Sequence, residues 1–430
     1  MHYFSTNRKS PDVSFRQAVL NGQPDDKGLY FPSEIPKLSG EWLDGLSGRP
    51  NEQIAFDVIR PFITGEIPDE VLFTICAETV NFDFPLVPVT DSIFALELFH
   101  GPTLAFKDVG ARFMSRTLQY FSRENTEKTV VIVATSGDTG GAVAAGFHGV
   151  DGIDVIILYP KGKVSKIQEL QLTTLGGNVI TLEVHGNFDD CQALAKQALA
   201  DADLTSKVHL TSANSINIAR WLPQQFYYFY ALKQWKGQPP VISVPSGNFG
   251  NLASGILAHI SGLPVKKFIA ACNANDVVPR FMQTADYRPR QSVATLSNAM
   301  DVGSPSNFVR ILEIFDNKFV DLKEKLEAVS ISDETTAATM RDMYEEYHYI
   351  LDPHGAIGYR ALADHLAQRP DEKGIFLETA HPVKFDSVKD IIGTQGPVPA
   401  SVASLFSKEK KSIEMEVKYD DLKSLILSTI

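Results

Sequence analysis

Cysteine is scarce in this chain, with 3 in 430 residues: Cys76, Cys191 and Cys272. They lie far apart in apolar or helical contexts. That excludes a disulfide framework and a cysteine-based metal spacing, and it points to a reducing compartment. Long apolar runs are also missing. None approaches the roughly 20 residues that span a bilayer. The start, Met1-His2-Tyr3-Phe4-Ser5-Thr6-Asn7-Arg8-Lys9, lacks the basic-then-apolar order of a signal peptide, so a cytoplasmic location without a membrane partner is expected. Positive charge is in deficit, with 40 Lys and Arg against 52 Asp and Glu and a net charge of −12. This argues against nucleic acid as a partner, but it leaves room for a local basic pocket that takes a small anion. No repeat or low-complexity segment appears. No cluster has metal-ligand spacing, so no metal is expected.

What is present describes an ordinary globular protein of two or three domains, 44% hydrophobic and 21% charged. Up to about Phe84 the pattern is helical, over Ser14 to Leu20, Glu52 to Ile63 and Glu70 to Val80. A short extended piece runs from Gly28 to Pro32, and a Pro-punctuated linker from Asn81 to Pro88. From Val89 the pattern changes. β-branched apolar runs alternate with helical segments, which predicts a parallel sheet wound with helices. Strands are expected at 94–98, 129–134, 153–158, 178–184, 209–211, 241–244, 268–271 and 375–378. Helices are expected at 110–121, 141–147, 165–175, 188–200, 217–235, 252–260 and 355–367. A charged helical tail closes the chain over 407–430.

Five segments could carry chemistry. In His100-Gly101-Pro102-Thr103-Leu104-Ala105-Phe106-Lys107-Asp108, a lysine follows an apolar run behind a Gly-Pro turn. A desolvated amine there could attack a carbonyl. The alternative is a surface lysine that opens a helix. Pro245-Ser246-Gly247-Asn248-Phe249-Gly250-Asn251 follows a strand and precedes a helix, as an anion cradle of backbone N–H groups does. It is neither a P-loop nor a dinucleotide fingerprint, because Gly-Lys-Ser/Thr is missing and the glycine spacing differs. Thr135-Ser136-Gly137-Asp138-Thr139-Gly140-Gly141 could hold a substrate carboxylate, or could simply cap the next helix. In Asn214-Ser215-Ile216-Asn217-Ile218-Ala219-Arg220, Ser215 and Arg220 on one helical face could grip a phosphate. After the last strand comes Glu378-Thr379-Ala380-His381-Pro382, whose hydroxyl could meet one atom of a bound ring. His354 and His381 read as helix-entry and turn histidines, and the aromatic stripe Phe226 to Tyr230 as core.

Together these segments resemble the threonine synthase family of pyridoxal-phosphate enzymes. The likeness rests on His100 to Asp108, Ser136 to Gly140, Pro245 to Asn251, Asn298-Ala299-Met300 and Pro305-Ser306-Asn307-Phe308. It also rests on the start, Tyr3 to Thr6 with Ser14-Phe15, Ala18 to Leu20 and Gly28 to Tyr30, and so runs from about residue 2 to about residue 390. Asn7 to Pro11 departs from the Arg-Gly that many members carry. The resemblance implies an α/β fold of PLP fold type II: two doubly wound open sheets with the active site between them, plus an N-terminal mainly helical domain. The implied domains are 1–88, mainly helical; 89–220, smaller and mobile, with Lys107 and the substrate loop; and 221–430, larger and cofactor-binding, with part of 89–100 allowed to it.

The resemblance further implies that Lys107 forms a Schiff base with pyridoxal 5'-phosphate. Gly247, Asn248, Phe249 and Asn251 would hold the cofactor, and Thr379 would face its ring nitrogen. Ser136, Asp138, Thr139, Ser215 and Arg220 would bind the substrate, with Arg220 and Ser215 on its phosphate. The implied reaction is O-phospho-L-homoserine plus water to L-threonine plus phosphate, by γ-elimination and β-addition, as the last step of threonine biosynthesis. The alternative is a threonine-synthase-like phospho-lyase or another fold-type-II lyase or dehydratase. A dehydratase of that fold needs no second phosphate grip, so Ser215 with Arg220 discriminates against it. The partner expected is a small-molecule substrate, with the chain a monomer or homodimer.

Overall fold

A computed structural model of the chain describes residues 1–123 and 128–429. In chain order its main strands are β1 (Leu86–Pro88), β2 (Ile93–Glu97), β3 (Thr129–Ala134), β4 (Ile153–Pro160), β5 (Val179–Val184), β6 (His209–Ser212), β7 (Val241–Pro245), β8 (Lys267–Cys272), β9 (Leu326–Ser330), β10 (Gly374–Glu378) and β11 (Ile413–Met415). They form a six-stranded sheet, β9-β8-β7-β10-β2-β1, and a five-stranded sheet, β11-β5-β4-β3-β6. All neighbours are parallel except β1 on β2. Strands buried on both faces read as unbroken apolar runs. Thus β3, β7 and β10 are buried along their whole length. The eight predicted strands form within a residue or two of their expected ends.

Contacts divide the chain into two compact units. One contains Phe31–Phe106 and Trp221–Pro397 and carries the six-stranded sheet. The other contains His2–Tyr30, Lys107–Arg220 and Val398–Ile430 and carries the five-stranded sheet. The cuts therefore fall at 30/31, 106/107, 220/221 and 397/398. Residues 1–88 are shared between the units, and the last stretch returns to the second one. A reading along the chain carries no signal for such returns.

The helices that carry candidate residues are, in the five-stranded unit, α1 (Lys107–Ser122), α2 (Asp138–Phe147) and α3 (Lys166–Thr173), and in the six-stranded unit α4 (Gly250–Ile260) and α5 (Pro353–Ala367). The helix expected over 217–235 is broken. It runs Ile218–Trp221, tightens to a 3₁₀ turn at Leu222–Gln225, and resumes at Phe226–Gln234. Pro223 has no N–H to continue the ladder. The helix Asp333–Tyr347 has no counterpart in the sequence reading. Its buried stripe is Thr336, Thr339, Met340 and Met343, which scores as half polar.

The closing tail is not one helix. Residues 413–415 add β11 beside β5, with Ile413 paired to Leu182, and a helix follows at Tyr419–Thr429. Ile430, the expected end of the tail, lies outside the described residues. Leu422 and Ile426 enter the core beside Cys191 and Leu194. Lys410 Nζ bonds Glu169 Oε1 at 2.7 Å and the buried Glu183 Oε2 at 2.6 Å. Charged flanks such as these protect an edge strand, and they also hid it from a hydropathy reading. Lys410→Met strands the Glu183 carboxylate and should lower stability by about 2–4 kcal/mol. Adding Glu183→Gln should recover most of that, as read from urea unfolding midpoints.

Candidate active site

Within the six-stranded unit, the residues before Lys107 are fastened to the end of β10. Ala105 and Ala380 form an antiparallel bridge. Phe106 N–H donates to Thr379 O at 2.9 Å, and His381 N–H donates to Leu104 O at 3.0 Å. Two buried side chains cap neighbouring carbonyls: Lys384 Nζ donates to Thr103 O at 2.8 Å, and Tyr227 OH donates to Phe106 O. Leu104 takes a left-handed φ of 57°, a conformation that few residues other than glycine adopt. The aromatic stripe is buried as expected, yet it is also polar scaffolding. Tyr228 OH holds Asn251, and Tyr230 OH holds Asn51 O at 3.0 Å.

The loop after β7 is built as a cradle. A Cβ on Gly247 would lie 2.6 Å from Met300 Cα, so only glycine fits beneath the Asn298–Met300 turn. Phe249 precedes α4 in the left-handed region (φ 63°), and no side chain caps that helix. Asn248 is anchored from the other side. Its Oδ1 accepts Ser306 N–H at 2.7 Å, and its carbonyl accepts Asn307 N–H at 3.2 Å. Phe308 packs edge-on to Phe249 at 5.6 Å. Asn307 Oδ1 accepts from Arg310 Nη1 at 2.7 Å. The buried Arg310 guanidinium lies 4.3 Å over Trp221, and burial pulls its pKa down to about 9, so it stays charged at neutral pH. No local pattern around Arg310 marks this cation behind the loop. Asn251 is buried. Its Oδ1 accepts from Tyr228 OH at 2.9 Å, and its Nδ2 has no hydrogen-bond partner among the described residues.

Thr379, buried, stands one residue beyond β10. Beneath it Glu378 is fully buried. Its Oε1 accepts Asp352 N–H at 2.9 Å, and Gly355, at the start of α5, leaves the space its Oε2 occupies. Desolvation, then the nearby Asp352 carboxylate, raises its pKa well above the carboxylate range. His354 is an N-terminal helix residue, as expected. Its Nδ1 pairs with Asp352 Oδ1 at 2.6 Å, and its Nε2 accepts Ala299 N–H at 3.3 Å.

Within the five-stranded unit, Lys107 and Asp138 are the first residues of α1 and α2. Lys107 Nζ lies 4.0 Å from Asp138 Oδ2. Thr135 Oγ1 accepts from Gly137 N (3.0 Å) and Gly140 N (2.8 Å), so Thr135 serves the backbone of this loop. Ser136 and Thr139 are half-exposed. Ser215 and Arg220 do not share a helical face. Ser215 sits in a turn before the helix starts at Ile218, and buried Arg220 sends Nη1 back to Ala213 O at 3.1 Å. Arg220 does approach α1: a Cβ on Gly110 would lie 2.8 Å from its carbonyl oxygen. The first turn of α1 thus gathers Lys107, Asp138 and Arg220.

The six-stranded unit provides an uncapped helix N-terminus, an unfilled donor at Asn251 and a hydroxyl at a strand end, and the five-stranded unit provides a half-buried lysine. These suit a phosphorylated, carbonyl-bearing ring. The comparisons agree. Residues 85–377 match the family model for pyridoxal-phosphate-dependent enzymes. That is the class that fold and site define, and its cofactor is pyridoxal 5'-phosphate. Residues 2–80 match the threonine synthase N terminus, and 355–426 match the threonine synthase C-terminal model, beyond the 390 reached by sequence reading. Threonine synthase from Serratia marcescens is 44% identical over 99% of both chains. The crystal structure of threonine synthase from Escherichia coli superposes with a TM-score of 0.93 at 43% identity over 100% of both chains. A pyridoxal-phosphate-bound threonine synthase from Brucella melitensis gives 0.93 at 33% identity, over 100% of this chain and 99% of that one. The chain belongs to the threonine synthase family.

His381 is held neutral. Its Nδ1 accepts Val383 N–H at 3.1 Å, and its ring packs edge-on to Phe99 at 5.1 Å. Desolvation, aided by His100, lowers its pKa to about 4. A base with a depressed folded pKa stabilises fully above the unfolded value near 6.5. Its contribution is lost as pH falls from there towards 4, by about 3 kcal/mol at most. His381→Asn keeps an acceptor for Val383 and should flatten that part of the profile, as measured by urea unfolding at pH 7 and pH 4.5.

Proposed function

We propose that this enzyme converts O-phospho-L-homoserine and water to L-threonine and phosphate in the cytoplasm. The observation that carries the reading is the grouping of Lys107, Asp138 and Arg220 at one helix turn, in a chain of this family. When bound, pyridoxal phosphate delocalises the electron pair left on the substrate carbon after proton loss.

The chain's own residues do the rest. Lys107 would hold the cofactor until the substrate amine displaces it, and its freed Nζ would then take and return protons at Cα and Cβ of the substrate. The uncapped first turn of α4, with Gly247, Asn248, Phe249 and Asn251, receives the cofactor phosphate or phenolic oxygen. Thr379 offers a hydroxyl to the ring nitrogen. A hydroxyl there leaves that nitrogen unprotonated, unlike a carboxylate partner. Arg220, with Ser215 and Thr139, holds the substrate phosphate and stabilises it on departure. Ser136 and Asp138 line the same substrate loop.

The deciding experiment follows phosphate and threonine from O-phospho-L-homoserine with the purified, yellow protein. Stoichiometric release of both supports the reading. Phosphate with a keto acid in place of threonine would make the enzyme a phospho-lyase. Lys107→Ala should abolish turnover and visible absorbance while the fold persists, and a fully active variant would sink the role given to Lys107. Arg220→Lys keeps the charge but loses the bidentate fork. It should raise KM roughly 10–100-fold, as expected for a charge-assisted contact, with cofactor content unchanged. Equal loss of cofactor would make Arg220 structural.

A further inference from the structure

Beneath the 135–141 loop lies a glutamine that the mechanism above does not use. Gln168 is the third residue of α3, and 2% of it is exposed. It forms a reciprocal cap with Ser165: Gln168 N–H donates to Ser165 Oγ at 3.3 Å, and Ser165 N–H donates to Gln168 Oε1 at 3.2 Å. Its remaining donor, Nε2, bonds Asp138 Oδ1 at 3.0 Å, buried at both ends. The other oxygen of that carboxylate is the one 4.0 Å from Lys107 Nζ. Gly137 makes the approach possible. It has φ 137°, and a Cβ there would lie 2.4 Å from Gln168 Cδ.

We propose that Gln168 is a positioning residue for Lys107, acting through Asp138. The proposal rests on the role given to Lys107 above. The χ2 of an aspartate is a broad, roughly two-fold torsion, so one oxygen has to be held for the other to keep a fixed aim. Gln168 holds it, and its own amide cannot turn without breaking the cap to Ser165. α3 is fixed in turn, because Glu169 is bonded to Lys410. A carboxylate kept at this distance favours the charged amine. The readiness of Nζ to release and recover a proton therefore depends on where Asp138 is held.

The test compares Gln168→Met, which keeps the volume but has no donor, with Ser165→Ala, which loses the Oγ half of the cap but keeps the Ser165 N–H bond that holds the Gln168 amide towards Asp138. Q168M should lower kcat tenfold or more, change KM less than threefold, retain one cofactor per chain and shift the visible absorption band. S165A should keep the parent kcat and band. In an Asp138→Asn background, Q168M should cost no further kcat. A Q168M enzyme within twofold of the parent overturns the proposal, as does an equal kcat loss in S165A or an undiminished loss in D138N. If Q168M does not fold, Gln168→Glu at pH 8, which keeps the oxygen facing Ser165 but has no amide hydrogen, is read by the same criteria. A colourless parent protein would instead overturn the reading of Lys107.

Discussion

The site depends on one short piece of antiparallel pairing in a sheet that is otherwise almost wholly parallel. The bridge from Ala105 to Ala380, with hydrogen bonds on either side of it, sets residues 104–106 against 379–381. Side chains alternate along an extended segment, so a slip of one residue would turn Thr379 to the opposite face. Burial strengthens such bonds and makes any unmade one costly. The chain leaves this pairing and enters α1 at once, so the backbone of Lys107 has little freedom left. Tyr227 and Lys384 add two further restraints from distant parts of the sequence.

The polar groups in the interior are there to hold backbone segments. Glu378, Asp352 and His354 link the end of β10, the start of α5 and the turn at Ala299. That turn is the one whose next residue, Met300, closes over Gly247. Burial pushes the Glu378 pKa upward, and Gly355 gives its side chain room. The cradle is therefore positioned by a chain of hydrogen bonds that runs from Glu378 through Asp352 and His354 to Ala299.

Much of this was legible in the sequence. The strands showed because strands covered on both faces are apolar without interruption. The glycine loop and the Lys107 segment showed because their turns need particular residues. The Asn298 and Pro305 segments were noticed only as part of a likeness, and the structure supplies the reason: both brace the Gly247–Asn251 loop. Other features left no trace in a linear reading. Ser215 was set on a helix because Asn217, which begins it with its own side chain, looks like any other polar residue there. Arg310, Tyr227 and Gln168 act across 30 or more residues or behind a loop, and no local period marks them. Asp333–Tyr347 was missed because threonines form its buried stripe, and β11 because charges surround it.

The return of the chain at Val398 has a consequence for how the protein is made. The five-stranded sheet takes its edge strand, and part of its core, from residues made about 200 positions after its other strands. Its other strands are complete by Ser212. At roughly 5–20 residues per second, on the order of 10–40 s pass before Ile413 can pair with Leu182. During that interval the outer edge of β5 is open and the pocket that takes Leu422 and Ile426 is unfilled. This is the period in which the nascent chain is most exposed to pairing with the wrong strand.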